Sequence, residues 1–466
     1  MATSYDVRVH ELYVYRGTRA TTYHVRWAVA GRRWKETFQV KALAASFRAD
    51  LQSAAGRGEA FDTGTGRPVS MARPVLRVSW YEFAVGYVDM KWPRGAATYR
   101  RTIAEALTAV TPVMLRPSGS RPDAKCIRSA LTWAFNTQRR EDPARPASVT
   151  ATLRWIERNS LPLSQVGRPE VARALLAAAT SRLDGRPAAR TVARQRRMLL
   201  LNALNYAVEQ GLLPVNPVQG IKWAAPKPSR VIDRRRVANP VQARTLLWAV
   251  AQVQRSGPRL AACFACMYFA ALRPEEAVEL RAANLTLPAP RWDQGRGELV
   301  YGWGELYVER AAPHAGSAWT DSGRPRDDRQ LKHREVGEGR RVPCPPELTR
   351  TLTDHIDRFG TAEDGQLFRG DRGGPVPLIT WHRVWSAARR ATFTPEVLAT
   401  PLAGRPYDLR HAAVSTWLTG GVDPATVAEW AGHSVAVLLE VYAKCLDGTD
   451  AIARRQVQAA LGQRPG

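Results

Sequence analysis

Tyr407-Asp408-Leu409-Arg410-His411, then Ala431-Gly432-His433-Ser434, then Glu440-Val441-Tyr442-Ala443-Lys444: these segments near the end of the chain govern its reading. Taken singly, each residue has an ordinary explanation. An arginine is most often a surface or salt-bridging residue, a lone histidine a satisfied structural one, a tyrosine a packing residue. The spacing changes that, because Tyr442 stands nine residues beyond His433 and both follow an Arg-His pair. Upstream, Ala271-Leu272-Arg273-Pro274-Glu275-Glu276 supplies another arginine, with Glu276 one helical turn later on the same face. Arg-x-x-Glu alone occurs in many helices; all these segments in this order rarely arise by chance.

The composition sets the class of partner. A chain of 466 residues exceeds one hydrophobic core and predicts two to four domains. Its 68 Lys and Arg against 42 Asp and Glu, a formal charge of +26, favour a polyanion, nucleic acid before membrane. No window approaches eighteen uninterrupted apolar residues, and Met1 to His10 lacks the apolar run of a signal peptide, so the expectation is a cytoplasmic, nucleoid-associated protein with no membrane partner. Five cysteines, at 126, 263, 266, 344 and 445, are odd in number and sparse, which predicts free thiols. Cys263 and Cys266 form a C-x-x-C inside the apolar stretch Leu260 to Leu272 without a second ligand pair, so they read as buried core and not as a metal site. The excess of arginine over lysine points to a GC-rich bacterial genome.

The quoted segments resemble the second catalytic box of the tyrosine recombinases, a His-x-x-Arg followed by Gly-His and the nucleophilic Tyr. Residues 271–276 resemble that family's Gly-Leu-Arg-x-x-Glu turn. The resemblance implies that Tyr442 attacks a DNA phosphorus and leaves a 3′-phosphotyrosine, which stores the bond energy for religation by a 5′-hydroxyl with no cofactor and no metal. Arg273 and Arg410 would bind the nonbridging oxygens, a task suited to permanently charged bidentate guanidinium groups. His433 would hydrogen-bond the scissile phosphate and assist proton transfer, and Glu276 would hold an arginine in place. The family most often has His where this chain has Tyr407, which can donate to phosphate but is a poor base, with an ordinary pKa of about 10. His411 reads as structural. The family's general acid is a lysine on a hairpin between the boxes. Lys332 and Lys444 are the two lysines after residue 230, and Lys332 fits, before a turn through Gly337 and Gly339 and a returning strand from Arg340 to Cys344.

Outside the boxes the pattern is modular. Val7 to Arg16, Thr22 to Val29 and Arg33 to Val40 read as three strands, followed by a helix with Leu43, Phe47 and Leu51 on one face. In the second strand His24 and Arg26 alternate with apolar residues, giving a polar face that is either a DNA contact or a solvated surface. Phe61 to Pro74 reads as a linker. From Trp80 to Trp223 the period is helical, with Thr191 as an N-cap and Gly211 as a stop. Arg190, Arg194 and Arg197 share one face of that segment with Leu201, Leu204 and Val208, and read as phosphate contacts or as a solvated face. Ala224 to Pro240 is a basic linker, with Asn239 and Pro240 opening the next helix. Pro288 to Arg329 is an irregular insertion around one strand, Glu305 to Arg310. A last helix, Asp450 to Leu461, sets Ala453, Val457 and Leu461 on one side; in the family such a tail packs into a neighbouring subunit.

The expected fold is α+β, mainly α with small β-sheets: an arm-type DNA-binding-like module over 1–60, a helical core-binding domain over 76–223 and a catalytic domain over 237–462. The resemblance implies an integrase of a phage or mobile element, acting as a homotetramer on synapsed double-stranded attachment sites, with a directionality factor as a further partner. A type IB topoisomerase or telomere resolvase shares the nucleophile, but the spacing here resembles the recombinases more. Two other classes stay open: a non-catalytic DNA-binding regulator, and a metal-dependent transposase or nuclease with a three-carboxylate site.

Overall fold

Val25, Trp27 and Val29 alternate with Arg26 and Ala28, a pattern that buries one face of a strand. The computed structural model describes residues 2–17, 21–71, 78–223, 231–331 and 337–442, with positions 454, 457, 458, 460 and 461. In it those three side chains are at most 2% exposed and lie in the central strand of an antiparallel sheet. The strands are β1 (Val7–Val9), β2 (Tyr13–Arg16), β3 (Thr21–Val29) and β4 (Arg32–Phe38). β3 is central; β4 follows one edge, and β1 then β2 follow the other. Pairing steps from Val9↔Trp27 to Tyr13↔His24, so residues 10–12 face only residues 25 and 26. The extra residue is a bulge. The first of the three expected strands is therefore broken in two.

Helix α1 (Lys41–Gly56) covers the apolar face with Ala44, Phe47, Leu51 and Ala54. Leu43, expected on that face, is 59% exposed; Ala44 takes its place because the helix sits one position further round. The expected linker is also partly wrong. Phe61 is fully buried, Phe61–Asp62 pairs with Thr3–Ser4, and the Trp27 indole N–H donates to the Gly66 carbonyl, so residues 61–66 fold back on the sheet.

Ser79 accepts from the Glu82 N–H while the Glu82 carboxylate accepts from the Ser79 N–H, a reciprocal cap that starts α2 (Trp80–Lys91). There follow α3 (Ala97–Val110), α4 (Ala124–Ala134), α5 (Ala147–Asn159), α6 (Pro169–Thr180) and α7 (Arg190–Glu209), packed around Trp80, Tyr87, Leu107, Leu131, Ile156, Leu175 and Leu204. α7 starts at Arg190 behind Ala189, which offers no side-chain cap, so Thr191 lies inside the first turn and is not the N-cap. Gly211, with φ +69°, stops the helix as its position suggested.

The C-terminal half opens with α8 (Pro240–Gln252), capped reciprocally by Asn239 and Gln242. Its centre is α9 (Gly257–Phe269), whose Leu260, Cys263, Phe264, Cys266 and Met267 are at most 1% exposed, so the C-x-x-C pair is core. Around it lie the short α10 (Pro274–Ala277), then α11 (Pro346–Phe359), α12 (Leu378–Thr392), α13 (Asp408–Thr419), α14 (Pro424–Ala431) and α15 (Val435–Tyr442). A three-stranded antiparallel sheet flanks them: β5 (Leu285–Thr286), β6 (Gly304–Val308) and β7 (Arg340–Cys344), with β6 central. The partner of the returning strand is therefore β6, from Gly304↔Cys344 to Val308↔Arg340. Arg329–Gln330 pairs instead with Arg310–Ala311. Lys332 lies outside the described residues.

The insertion holds more than one strand, since Arg291–Asp293 and Glu298–Val300 form a hairpin of their own. Beyond it, residues 312–328 cross to the helical unit. Ala315 and Trp319 are buried in that unit's core, and Trp319 packs on Trp92 with ring centroids 6.0 Å apart. Arg100, 6% exposed, donates to both Asp321 carboxylate oxygens at 2.6 and 3.1 Å, and Asn136 donates to the Ala318 carbonyl at 2.5 Å. The whole is mainly helical with small antiparallel sheets, the expected fold class. Among the described residues, no helix is long and apolar enough to cross a membrane.

Candidate active site

The site is assembled from four separated segments. α9 ends at Phe269, and the chain then turns through Ala271, whose φ of +48° is unusual for a residue with a Cβ. That turn brings Arg273 to the head of α10, where the Glu276 carboxylate accepts from the Arg273 backbone N–H at 2.8 Å and from its guanidinium at 2.6 Å. The other end of the Arg273 guanidinium donates to the Gly432 carbonyl at 2.6 Å. Its side chain remains 27% exposed.

Arg410, in the first turn of α13, is fully enclosed. It donates to the carbonyls of Ala271 and Ala431 and to His433 Nε2, the last at 2.8 Å. Burial, and then Arg273, lower its pKa. His433 follows the left-handed Gly432, which closes α14 with φ +65°. Burial, then Arg410 and Arg273, hold His433 down at about 3, so it is a neutral acceptor at pH 7.

Tyr442 ends α15 with 1% exposure, packed among Val414, Leu438 and Ala431. Its hydroxyl meets His411 Nδ1 at 2.9 Å. His411 was read as structural; here it touches the oxygen of the candidate nucleophile. Tyr407 stands one turn earlier, as the residue that precedes α13, half-buried, its ring edge-on to His411 at 5.0 Å. The His433 ring lies 6.2 Å from that of Tyr442.

Glu276 organises the cations. Besides Arg273 it accepts two bonds from Arg340, at 3.0 and 2.7 Å, and lies 3.9 Å from Arg410. Burial pushes its carboxyl up, but Arg340, Arg273 and Arg410 more than offset that and hold it at about 2. Arg340 was not singled out from the sequence. It is 3% exposed, anchored also to the Trp430 carbonyl at 2.8 Å, and its inward register with Val342 and Cys344 on β7 was the available signal. Three guanidinium groups around one carboxylate leave an excess of positive charge, the field an anionic group needs.

The remaining candidates lie elsewhere. Arg190 and Arg194 are exposed near the start of α7, and Arg197 is half-buried with its guanidinium 5.0 Å from the Trp223 ring centre. Arg26 is exposed on the polar sheet face and stacks over Tyr13 at 4.7 Å. Val457 and Leu461 are exposed, and Ala453 lies outside the described residues.

No protein-family model matches this chain, and no curated protein matches it. Among solved structures it is similar to a lambda integrase dimer bound to a COC′ core site, at 14% identity over 90% of this chain and 91% of that one, with a TM-score of 0.47. It is also similar to the Tn1549 transposon integrase in complex with a circular intermediate DNA, at 15% identity over 69% of this chain and 96% of that one, TM-score 0.44. A third is the XerH site-specific recombinase bound to palindromic difH substrate, at 12% identity, 78% and 94% coverage, TM-score 0.40.

Proposed function

We propose that this chain is a tyrosine-type site-specific DNA recombinase, an integrase of a phage or mobile element. It cleaves and rejoins DNA through a 3′-phosphotyrosyl intermediate on Tyr442. The observation that carries this reading is the convergence of Arg273, Arg410, His433 and Tyr442 from four segments: both arginines meet the Glu276 carboxylate, Arg410 meets His433, and the Tyr442 ring lies 6.2 Å from that of His433.

In this reading a scissile phosphate enters on the exposed side of Arg273 and replaces the carbonyl oxygens that Arg410 now holds. Charge gathers on the nonbridging oxygens as the phenol oxygen adds, and the fixed guanidinium groups stabilise that state more than the starting one. Neutral His433 donates to the same phosphate. The leaving 5′-oxygen takes its proton from a general acid, the role assigned to Lys332. Tyr407 contributes a hydrogen bond and no base chemistry.

The proposed division of labour gives 237–462 the chemistry, 76–223 the core site and 1–60 a flanking site, with Arg26, Arg190, Arg194 and Arg197 on phosphates. Each of two duplexes must have both strands cut, one strand per active site, so the working assembly is a homotetramer on synapsed attachment sites, and a directionality factor sets its outcome.

The test is covalent trapping. Full-length wild type and Tyr442→Phe are incubated in EDTA with nicked duplexes drawn from the DNA on either side of the coding gene, then run on a denaturing gel. A protein-linked band that Tyr442→Phe lacks is the expected result. Binding without any band points to a DNA-binding regulator, and cleavage that appears only with magnesium points to a carboxylate nuclease.

A further inference from the structure

We infer that His411 is the proton acceptor for Tyr442, taking over the base function that Tyr407 cannot supply. The inference rests on the recombinase reading above and adds a residue to its chemistry. Its basis is geometric: His411 Nδ1 lies 2.9 Å from the Tyr442 hydroxyl, within the range in which a positioned base removes a proton. Among the described residues no other imidazole is as well placed, since His433 is engaged through Nε2 with Arg410.

The helix explains the substitution. Tyr407 is the N-cap of α13 with helical backbone angles, φ −58° and ψ −25°, so it and position 411, four residues on, share a face. The phenol at 407 can donate a hydrogen bond but offers no nitrogen lone pair to take a proton. A histidine one turn later reaches the same region from the same helix, and the edge-on contact of the two rings at 5.0 Å fixes its plane.

Charge supports the role. Burial, and then Arg410, Arg405 and Arg236, hold His411 down at about 4, so a free ring nitrogen is available at pH 7. The other groups facing it are Tyr407, Tyr442 and His433. An imidazole so depressed is a weak base until the arriving phosphate offsets the surrounding arginines, which ties its basicity to bound DNA.

The step balances. The Tyr442 oxygen–phosphorus bond forms as the phosphorus–O5′ bond breaks. The phenol proton passes to His411 Nδ1, and the 5′-oxygen takes a proton from the general acid. In religation the attacking 5′-hydroxyl gives up its proton to that acid's conjugate base, and the imidazolium returns its proton to the departing phenolate.

The experiment is single-turnover cleavage of the nicked duplexes by full-length wild type, His411→Asn and His411→Gln, across pH 6 to about 10. Asparagine can hydrogen-bond the phenol but cannot take its proton. The expected result is a loss of about 100-fold at pH 7 that narrows as pH rises and hydroxide takes over removal of the phenol proton. A gap of constant size across pH, or none, overturns the proposal while a Tyr442-dependent adduct leaves the recombinase reading standing. No adduct from wild type removes both. Should both variants fail to fold, 15N-histidine spectra of the wild type decide: an unprotonated His411 Nδ1 is expected, and a protonated one, donating to Tyr442, overturns it.

Discussion

Glu276 shows how one carboxylate sets the geometry of three arginines. At 1% exposure it would be costly if unpaired, and Arg340, also buried, would be equally costly without it. Its folded pKa of about 2 lies below its ordinary 4.5. A lowered carboxyl pKa stabilises the fold fully above about pH 4.5 and loses that contribution as pH falls toward 2. Glu276→Gln is therefore expected to cost about 3 kcal/mol at pH 7, read from urea midpoints. The difference from wild type should shrink as pH falls below 4.5; a deficit that is constant with pH would show that packing, not charge, is lost. Gly432 is fixed by the same cluster. Its φ is +65°, and a Cβ there would come within 3.2 Å of the Arg340 guanidinium. The glycine of the Gly-His pair was legible in the sequence; that it makes room for an unnoticed arginine was not, because buried arginine has no compositional signature.

Among the elements, those whose ends carry their own chemistry were the legible ones. Asn239 and Pro240 marked the start of α8, and both act as read. α7 was misplaced by two positions in its cap, since the Ala189 side chain offers no acceptor and so leaves no mark in the sequence. This predicts a gain: Ala189→Ser should stabilise the protein by about 1 kcal/mol, whereas Thr191→Ala should cost only a few tenths. Thermal melts of both check it, and a larger loss at Thr191 would restore Thr191 as the cap. The pairing of β7 was missed for a topological reason. A strand pattern states which residues point inward, as it does for Val342 and Cys344, but not which strand lies alongside. Here more than thirty positions separate Val308 from its partner Arg340.

For the whole molecule, the charge of +26 was enough to indicate a polyanionic partner, but no pattern in 288–329 told that part of it belongs to another unit's core. Irregular chain has no period, so its burial cannot be read from spacing. Yet Trp319, 8% exposed, sits among the helical unit's side chains, beside Trp92 and Ala315, while the strands that precede and follow it belong to the C-terminal half. Such a contact couples the two units thermodynamically, since neither can unfold without stripping an indole from the other and buried Arg100 from its exposed partner Asp321. Removing the indole should cost about 3 to 5 kcal/mol, the usual range for a buried tryptophan. The more telling effect is on cooperativity. With the coupling weakened below the difference between the units' own stabilities, the single transition of the wild type should split in Trp319→Ala, the helical unit and the C-terminal half melting separately in calorimetry. Hydrogen exchange identifies them: amides of α3 and α4 should lose protection while those of α9 keep it. A single transition shifted downward, with protection lost evenly, would mean that the two units are held together by contacts other than this one.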